Sequence, residues 1–125
     1  MRPRSGIVQL KTFRVQEKRR RLAQIEAMIA DFQRMAEDLD REIAAEEKRS
    51  GITDVNHFAY PTYARAAAQR RDNLLQSADD LKSQLNEALA DLDEALSELR
   101  KAEALDDREA VRERPALRAA GAAHP

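Results

Sequence analysis

A regular apolar stripe runs through the first half of this 125-residue chain. Its members lie alternately three and four residues apart, and they are Leu22, Ile25, Ile29, Phe32, Ala36, Leu39 and Ile43. This spacing places them on one side of a helix and is the heptad pattern of a coiled-coil seam. The remaining positions of the segment are largely charged. The pattern therefore predicts a long helix whose seam packs against another helix.

A second stripe with the same spacing occurs in the second half of the chain. It consists of Leu74, Ala78, Leu81, Leu85, Ala88, Leu92, Ala95, Leu99 and Ala102. The chain is 36% charged and only 4% aromatic, and it has three glycines and four prolines. Sheet proteins need more turn residues and more strand-forming residues than this composition supplies. Pattern and composition together predict an all-α fold.

The first helix is predicted over about residues 5–49. Gly6 is unfavourable inside a helix, so the helix should begin near Ser5–Ile7. Gly51 can adopt the left-handed conformation that commonly terminates a helix, so the helix should end near Ser50.

The second helix is predicted over about residues 61–112. Pro61 suits the first helical position, because an amide there would have no helical partner. Pro115 is expected to close the helix. The C-terminal tail, residues 115–125, is rich in alanine and is predicted to be disordered.

A tip loop of about residues 50–60 connects the two helices. Short connections make neighbouring helices antiparallel, so we predict one antiparallel two-helix coiled-coil hairpin over residues 1–114. Facing seam residues should have numbers that sum to 110, as Ile29 and Leu81 do. Sums of 103 and 117 also keep the heptad phase, so three registers stay open at this point.

Motifs that carry chemistry are absent from the sequence. The chain has no cysteine and no glycine-rich phosphate loop, and neither His57 nor His124 has a second ligand at helical spacing. No apolar run approaches the roughly 20 residues that span a bilayer, and no secretory signal is expected. We therefore predict a protein that is not an enzyme, with no catalytic residue, no metal site and no cofactor.

Charge is unevenly distributed, although the formal net charge is only −1. Residues 1–21 carry eight basic side chains and one acidic one, whereas residues 76–114 carry twelve acidic and six basic ones. The densest basic run, residues 17–21, directly precedes the first seam. Three interpretations follow: pairing with the acidic second helix, binding of a protein partner, or binding of nucleic acid by residues 11–21 as a basic region next to a zipper.

The open end of the predicted hairpin departs from the seam pattern. Lys11 and Lys18 occupy seam positions, whereas Leu10 and Phe13 are apolar but lie off the seam. Apolar residues off the seam have no specific role where helix ends fray. Alternatively, they bind a partner. The second interpretation makes Leu10 and Phe13 candidate binding residues.

Three of the five aromatic residues, Phe58, Tyr60 and Tyr63, lie at the hairpin tip. One ring, with Phe58 as the candidate, could plug the end of the seam. Three rings are more than one short turn can bury, and exposed aromatic residues favour the cores of interfaces. Arg70 and Arg71 follow on the second helix and complete a candidate binding surface.

Two segments resemble the flagellar export protein FliJ family in its alphaproteobacterial form. Residues 17–47 are EKRRRLAQIEAMIADFQRMAEDLDREIAAEE, and residues 51–74 are GITDVNHFAYPTYARAAAQRRDNL. The resemblance covers about residues 5–110 and excludes the alanine-rich tail. It implies an antiparallel two-helix coiled coil that is cytoplasmic and associates peripherally with the inner-membrane flagellar export apparatus. The implied partners are the hexameric export ATPase, the cytoplasmic domain of the export gate and substrate-specific export chaperones.

We therefore predict a non-enzymatic coupling and chaperone-escort rod of the flagellar type III export apparatus, with no nucleic acid as partner. The predicted ATPase-binding residues at the open end are Leu10, Phe13, Arg14, Lys18, Arg19 and Arg20. The predicted gate-binding residues at the tip are Phe58, Tyr60, Tyr63, Arg70 and Arg71. The alternative is a coiled-coil DNA-binding protein that uses residues 11–21.

Overall fold

Two long helices make up the structure, a computed structural model that describes the backbone of residues 3–122 and the side chains of residues 3–113. Helix α1 comprises Gly6–Ser50 and helix α2 comprises Thr62–Ala122. No strand occurs among residues 3–122. The predicted all-α antiparallel two-helix hairpin is confirmed.

Both ends of α1 are capped and lie where the sequence predicts them. The Oγ atom of Ser5 accepts a hydrogen bond from the Val8 amide at 3.3 Å, which satisfies a donor that the first helical turn leaves free. At the other end Gly51 has a φ angle of +75°, and its amide donates to the Glu47 carbonyl oxygen at 2.9 Å. The predicted start and end of the first helix are confirmed.

The start of α2 lies one residue later than predicted. Thr62 is the first helical residue, and Pro61 stands directly before it. The Pro61 carbonyl oxygen accepts a hydrogen bond from the Arg65 amide at 3.1 Å. Pro61 is therefore the N-cap, the flanking residue whose carbonyl accepts the first bond of the helix.

The predicted end of the second helix near residue 112 is wrong, because α2 continues through Pro115 to Ala122. A proline inside a helix removes one amide donor and crowds the preceding turn, whereas alanine, which is frequent after Pro115, has the highest helix propensity. The side chains of residues 114–122 and all of residues 123–125 lie outside the described part of the chain. The predicted disorder of the tail falls on these residues.

The contacts within the chain define two compact units, where the sequence predicts one domain. One unit consists of Met1–Leu22 with Glu87–Pro125, and the other of Ala23–Asn86. We call them the terminal unit and the loop unit. Such a division is compatible with a two-helix seam, because each pair of facing residues contacts only the neighbouring pairs along the helices.

Seam residues form the core of the loop unit. Ile25, Ala36, Ala78 and Leu81 are buried. Next to the loop, a second buried cluster contains Ile43, Tyr60, Ala64 and Ala67, with Leu39, Ile52 and Ala68 packed against it. The small alanines of α2 leave space for the large residues, as a closely packed two-helix seam requires.

The seam of the terminal unit is partly polar. Val8, Val15, Ala88 and Ala102 are buried, and so is Asp106. A guanidinium nitrogen of Arg4 lies 3.5 Å from the Asp106 carboxylate and 3.0 Å from that of Asp107. The Lys11 ammonium donates to Glu98 Oε2 at 2.7 Å.

These ion pairs identify the helix register in each unit. In the terminal unit, Arg4 and Asp106 match the predicted sum of 110, and Lys11 with Glu98 departs from it by one residue. In the loop unit, Arg71 and Asp40 also depart from it by one residue. A sum of 103 or 117 would displace these partners by about two helical turns. These ion pairs therefore agree with the register in which the numbers of facing residues sum to 110, and not with the other two.

Neither helix contains, within residues 3–122, a segment long and apolar enough to cross a membrane.

Candidate functional site

The three aromatic residues of the predicted tip site have three different environments. Tyr60 is buried, with 6% of its surface exposed, whereas Phe58 is 96% exposed and Tyr63 is 56% exposed. The expectation that the turn cannot bury all three rings is confirmed. The inclusion of Tyr60 in an exposed binding surface is wrong, and so is the choice of Phe58 as the candidate plug, because Tyr60 is the buried ring.

Tyr60 is buried because it belongs to the second seam. The spacing of three and four residues extends backwards from Leu74 through Arg71, Ala67 and Ala64 to Tyr60. This periodicity is the signal that could have identified Tyr60 as a core residue. Its ring packs in the cluster that contains Ile43, and its hydroxyl donates to Glu47 Oε2 at 3.4 Å. Burial raises the pKa of Tyr60, and the negative charge of Glu47 raises it further.

Hydrogen bonds hold the loop that carries Phe58. The Asn56 amide donates to Asp54 Oδ1 at 2.9 Å, and the His57 amide donates to the Asp54 carbonyl oxygen at 3.0 Å. His57 Nδ1 accepts a hydrogen bond from the Ala59 amide at 3.0 Å. The imidazole of His57 also stacks on the Phe58 ring, with 4.7 Å between the ring centres. Phe58 is therefore presented to solvent on an ordered turn.

Tyr63 and Arg70 lie together in a groove of the loop unit. The groove has a volume of about 230 Å³, and its lining residues are Met35, Asp38, Leu39, Glu42, Tyr63, Arg70 and Leu74. The Tyr63 hydroxyl donates to Glu42 Oε2 at 2.8 Å, which raises the pKa of Tyr63. We call this surface the Tyr63 groove. Sequence reasoning did not identify Met35 as part of it, although Met35 is apolar and off the seam.

Arg71 forms ion pairs within the loop unit. Its guanidinium group contacts Asp40 at 2.9 Å and Asp72 at 3.1 Å. The side chain is only about one-third exposed, because Arg71 occupies a seam position. Arg71 thus links α2 to α1, and the neighbouring Arg70 is the exposed member of the pair.

The predicted open-end residues are apolar and basic side chains of α1 in the terminal unit. At about 100° per residue, Arg19 lies on a different side of the helix from Leu10 and Arg14. Leu10 and Phe13 are about half exposed, and the Arg20 guanidinium lies 6.0 Å from the centre of the Phe13 ring. This distance is at the limit of a cation–π contact. Arg19 is exposed and forms no ion pair among the described residues. We call Leu10, Phe13, Arg14, Arg19 and Arg20 the basic–apolar surface.

A groove of about 300 Å³ brings Arg14 and Lys18 beside acidic residues of α2. Its acidic lining residues are Asp91, Glu94 and Glu98. The Lys11 ammonium bonds to Glu98 and lowers the pKa of that carboxyl group. Pairing of the basic segment with the acidic helix is therefore confirmed for Lys11.

A smaller cavity of about 250 Å³ also lies in the terminal unit. Its apolar lining residues are Ile7, Ala102 and Leu105. Ile7 and Leu105 are more than half exposed. The sequence pattern does not mark either of them as a site residue, because both lie off the two seams.

Among the residues that the structure describes, no three His, Cys, Asp or Glu side chains are grouped to hold a metal ion. Comparisons of the chain with protein-family models, with curated proteins and with solved structures give no match.

Proposed function

We propose that this protein is a non-enzymatic coupling and chaperone-escort component of the flagellar type III export apparatus. Its place would be the cytoplasm, at the periphery of the inner-membrane export machinery. The resemblance of residues 17–47 and 51–74 to the FliJ family suggests this role, and the two-helix hairpin is the fold that the resemblance implies.

The basic–apolar surface is the observation that carries the proposal. The seams pair α1 with α2, yet Leu10 and Phe13 stay about half exposed beside arginines that face solvent. Apolar side chains flanked by cations are typical of a protein interface, where arginine and aromatic residues supply much of the affinity. We assign this surface to the hexameric export ATPase.

Phe58, Tyr63 and Arg70 are the candidates for the second partner, the cytoplasmic domain of the export gate. They are the exposed members of the predicted tip set. Tyr60 and Arg71 support them from within the hairpin, through the buried cluster and the Asp40 ion pair. Export chaperones complete the proposed set of partners.

A pull-down from the cytoplasm of a flagellated bacterium, read for the export ATPase, tests the proposal. The tagged chain should retain the ATPase, and charge reversal at Arg14, Arg19 and Arg20 should abolish the retention. Surface charges contribute only about 0–1 kcal/mol per pair to folding, so helicity should stay unchanged. A matched control reverses three exposed charges elsewhere, Arg34, Arg41 and Lys82, and should retain the ATPase. Equal loss of the ATPase by both variants would contradict the assignment.

DNA binding by residues 11–21 is the alternative that the basic run suggests. The structure engages Lys11 with Glu98 and places Arg14 and Lys18 beside three carboxylates, which reduces the positive potential available for phosphates. A titration with duplex DNA separates the two functions, because phosphate contacts release counterions and make affinity fall steeply with salt. We expect no binding at physiological salt. Tight binding with a steep salt dependence would favour the DNA-binding function.

A further inference from the structure

From the Tyr63 groove we infer a docking site for an amphipathic helix that carries an acidic residue. The inference deepens the proposed function and rests on it, because Tyr63 and Arg70 are also assigned to the export gate, and it adds the chemistry of the occupant. Met35 is 38% exposed there, although it is an apolar side chain flanking a long seam. Methionine adapts its shape to different ligands and is frequent in surfaces that bind helices.

The dimensions of the surface fit a helix. A second cavity of about 270 Å³ adjoins the Tyr63 groove and shares Tyr63 and Glu42 with it. On α1 the two cavities extend from Met35 to Arg49, a distance of roughly 20 Å at 1.5 Å per residue. A partner helix of about four turns would cover this length. It would place its apolar side chains over Met35, Leu39 and Leu74.

Charge determines which helix fits. The acidic side chains along the surface already have partners: Asp38 pairs with Arg41, Glu46 pairs with Arg49, and Glu42 accepts the Tyr63 hydroxyl. Arg70 lines the groove, is exposed and forms no ion pair among the described residues. A carboxylate on the partner helix would complement Arg70, since guanidinium and carboxylate form strong paired hydrogen bonds. The neighbouring carboxylates disfavour a phosphate backbone or an anionic lipid surface as the occupant.

Tyr63 would be the anchor of the complex. Its hydroxyl is held by Glu42 at 2.8 Å, so the ring is oriented before any partner arrives. Preorganised aromatic side chains lose little conformational entropy on binding and are frequent hot spots of interfaces.

Selection of displayed peptides on the full-length chain tests the inference. The probe is a library of amphipathic helical peptides of about 16 residues, long enough to cover the groove at 1.5 Å per residue. Enriched peptides should carry Asp or Glu beside an apolar stripe. Fluorescence anisotropy with a purified peptide should show about tenfold weaker binding by Met35→Glu and by Arg70→Glu, which corresponds to about 1.4 kcal/mol.

Two control variants match these changes outside the groove. Leu75→Glu alters an apolar residue of similar exposure, 45%, and Lys82→Glu reverses an exposed charge on α2. Both should bind the peptide as the wild type does. A peptide whose acidic residue is replaced by Lys should regain affinity for Arg70→Glu. The inference would be overturned if the selection did not enrich acidic helical peptides, or if the groove and control variants lost peptide affinity equally. Neither outcome would bear on ATPase binding, which is tested separately.

Discussion

Phe58 and Tyr60 are two residues apart in the loop and have opposite surroundings. Tyr60 packs among Ile43, Ala64 and Ala67, whereas Phe58 contacts solvent and the His57 ring. The hydrogen-bonded turn between them separates a residue that stabilises the fold from one that is available to a partner.

Replacement of each ring by alanine should distinguish the two roles. Tyr60→Ala should lower the free energy of unfolding by roughly 3–5 kcal/mol, as removal of a buried aromatic ring does. Phe58→Ala should change it by no more than about 0.5 kcal/mol, because the ring is exposed. Urea unfolding followed by circular dichroism measures both. Similar losses in the two variants would show that Phe58 is packed in solution.

Glu98 is expected to make the stability of the protein depend on pH. Its carboxyl pKa is lowered in the folded state, first by the hydrogen bond from Lys11, and its ordinary value is 4.5. The stabilisation is therefore complete above about pH 4.5 and is lost as the pH falls through the lower folded pKa. Thermal unfolding of the wild type should show a larger loss in this range than that of Glu98→Gln. Identical pH profiles would indicate that the ion pair does not persist in solution.

At the scale of elements, periodicity predicts both seams, and the two glycines Gly6 and Gly51 predict where α1 begins and ends. A repeat of three and four residues marks buried positions however the partner helix is arranged, so both seams could be predicted, whereas the repeat alone left three registers open. The assignment of residues 50–60 to a loop separated Tyr60 from the seam and hid its burial. The groove around Tyr63 could not be predicted, because it depends on which off-seam residues of α1 and α2 face each other.

Glycine has different roles at the two ends of α1. At Gly51 the φ angle of +75° disfavours other residues, although a Cβ atom would meet no neighbour. Gly51→Ala should therefore destabilise the protein by about 1 kcal/mol through the backbone alone. At Gly6 a Cβ atom also meets open space and the backbone is helical, so Gly6→Ala should be neutral or stabilising by up to about 1 kcal/mol. Thermal unfolding measures the stability of the two variants. An unchanged stability of Gly51→Ala would contradict the left-handed conformation at the end of α1.

The register can be tested by a disulfide within the loop unit. Cysteines at Ile29 and Leu81 should oxidise to an intramolecular bridge, since facing seam positions lie within disulfide reach. Cysteines at Ile29 and Leu74, which pair in the 103 register, should not. Gel mobility with and without reductant identifies the bridge. Efficient bridging of the second pair would show that the helices slide by a heptad.

At the scale of the whole molecule, the charge asymmetry separates two kinds of surface. The basic residues of 1–21 provide the basic–apolar surface of the terminal unit, whereas the loop unit presents Phe58 and the Tyr63 groove. The proposed coupling function requires these surfaces to bind different partners. Substitutions in one surface should then leave the affinity of the other surface for its partner unchanged.

Calorimetric titrations of the purified chain with the export ATPase and, separately, with the cytoplasmic domain of the export gate test this requirement most directly. The Phe58→Ala, Tyr63→Ala double variant should lose at least about tenfold in affinity for the gate and keep its affinity for the ATPase. Charge reversal at Arg14, Arg19 and Arg20 should give the opposite pattern. Circular dichroism verifies that both variants are folded. Absence of wild-type binding to either partner, or parallel losses in both titrations, would contradict the account.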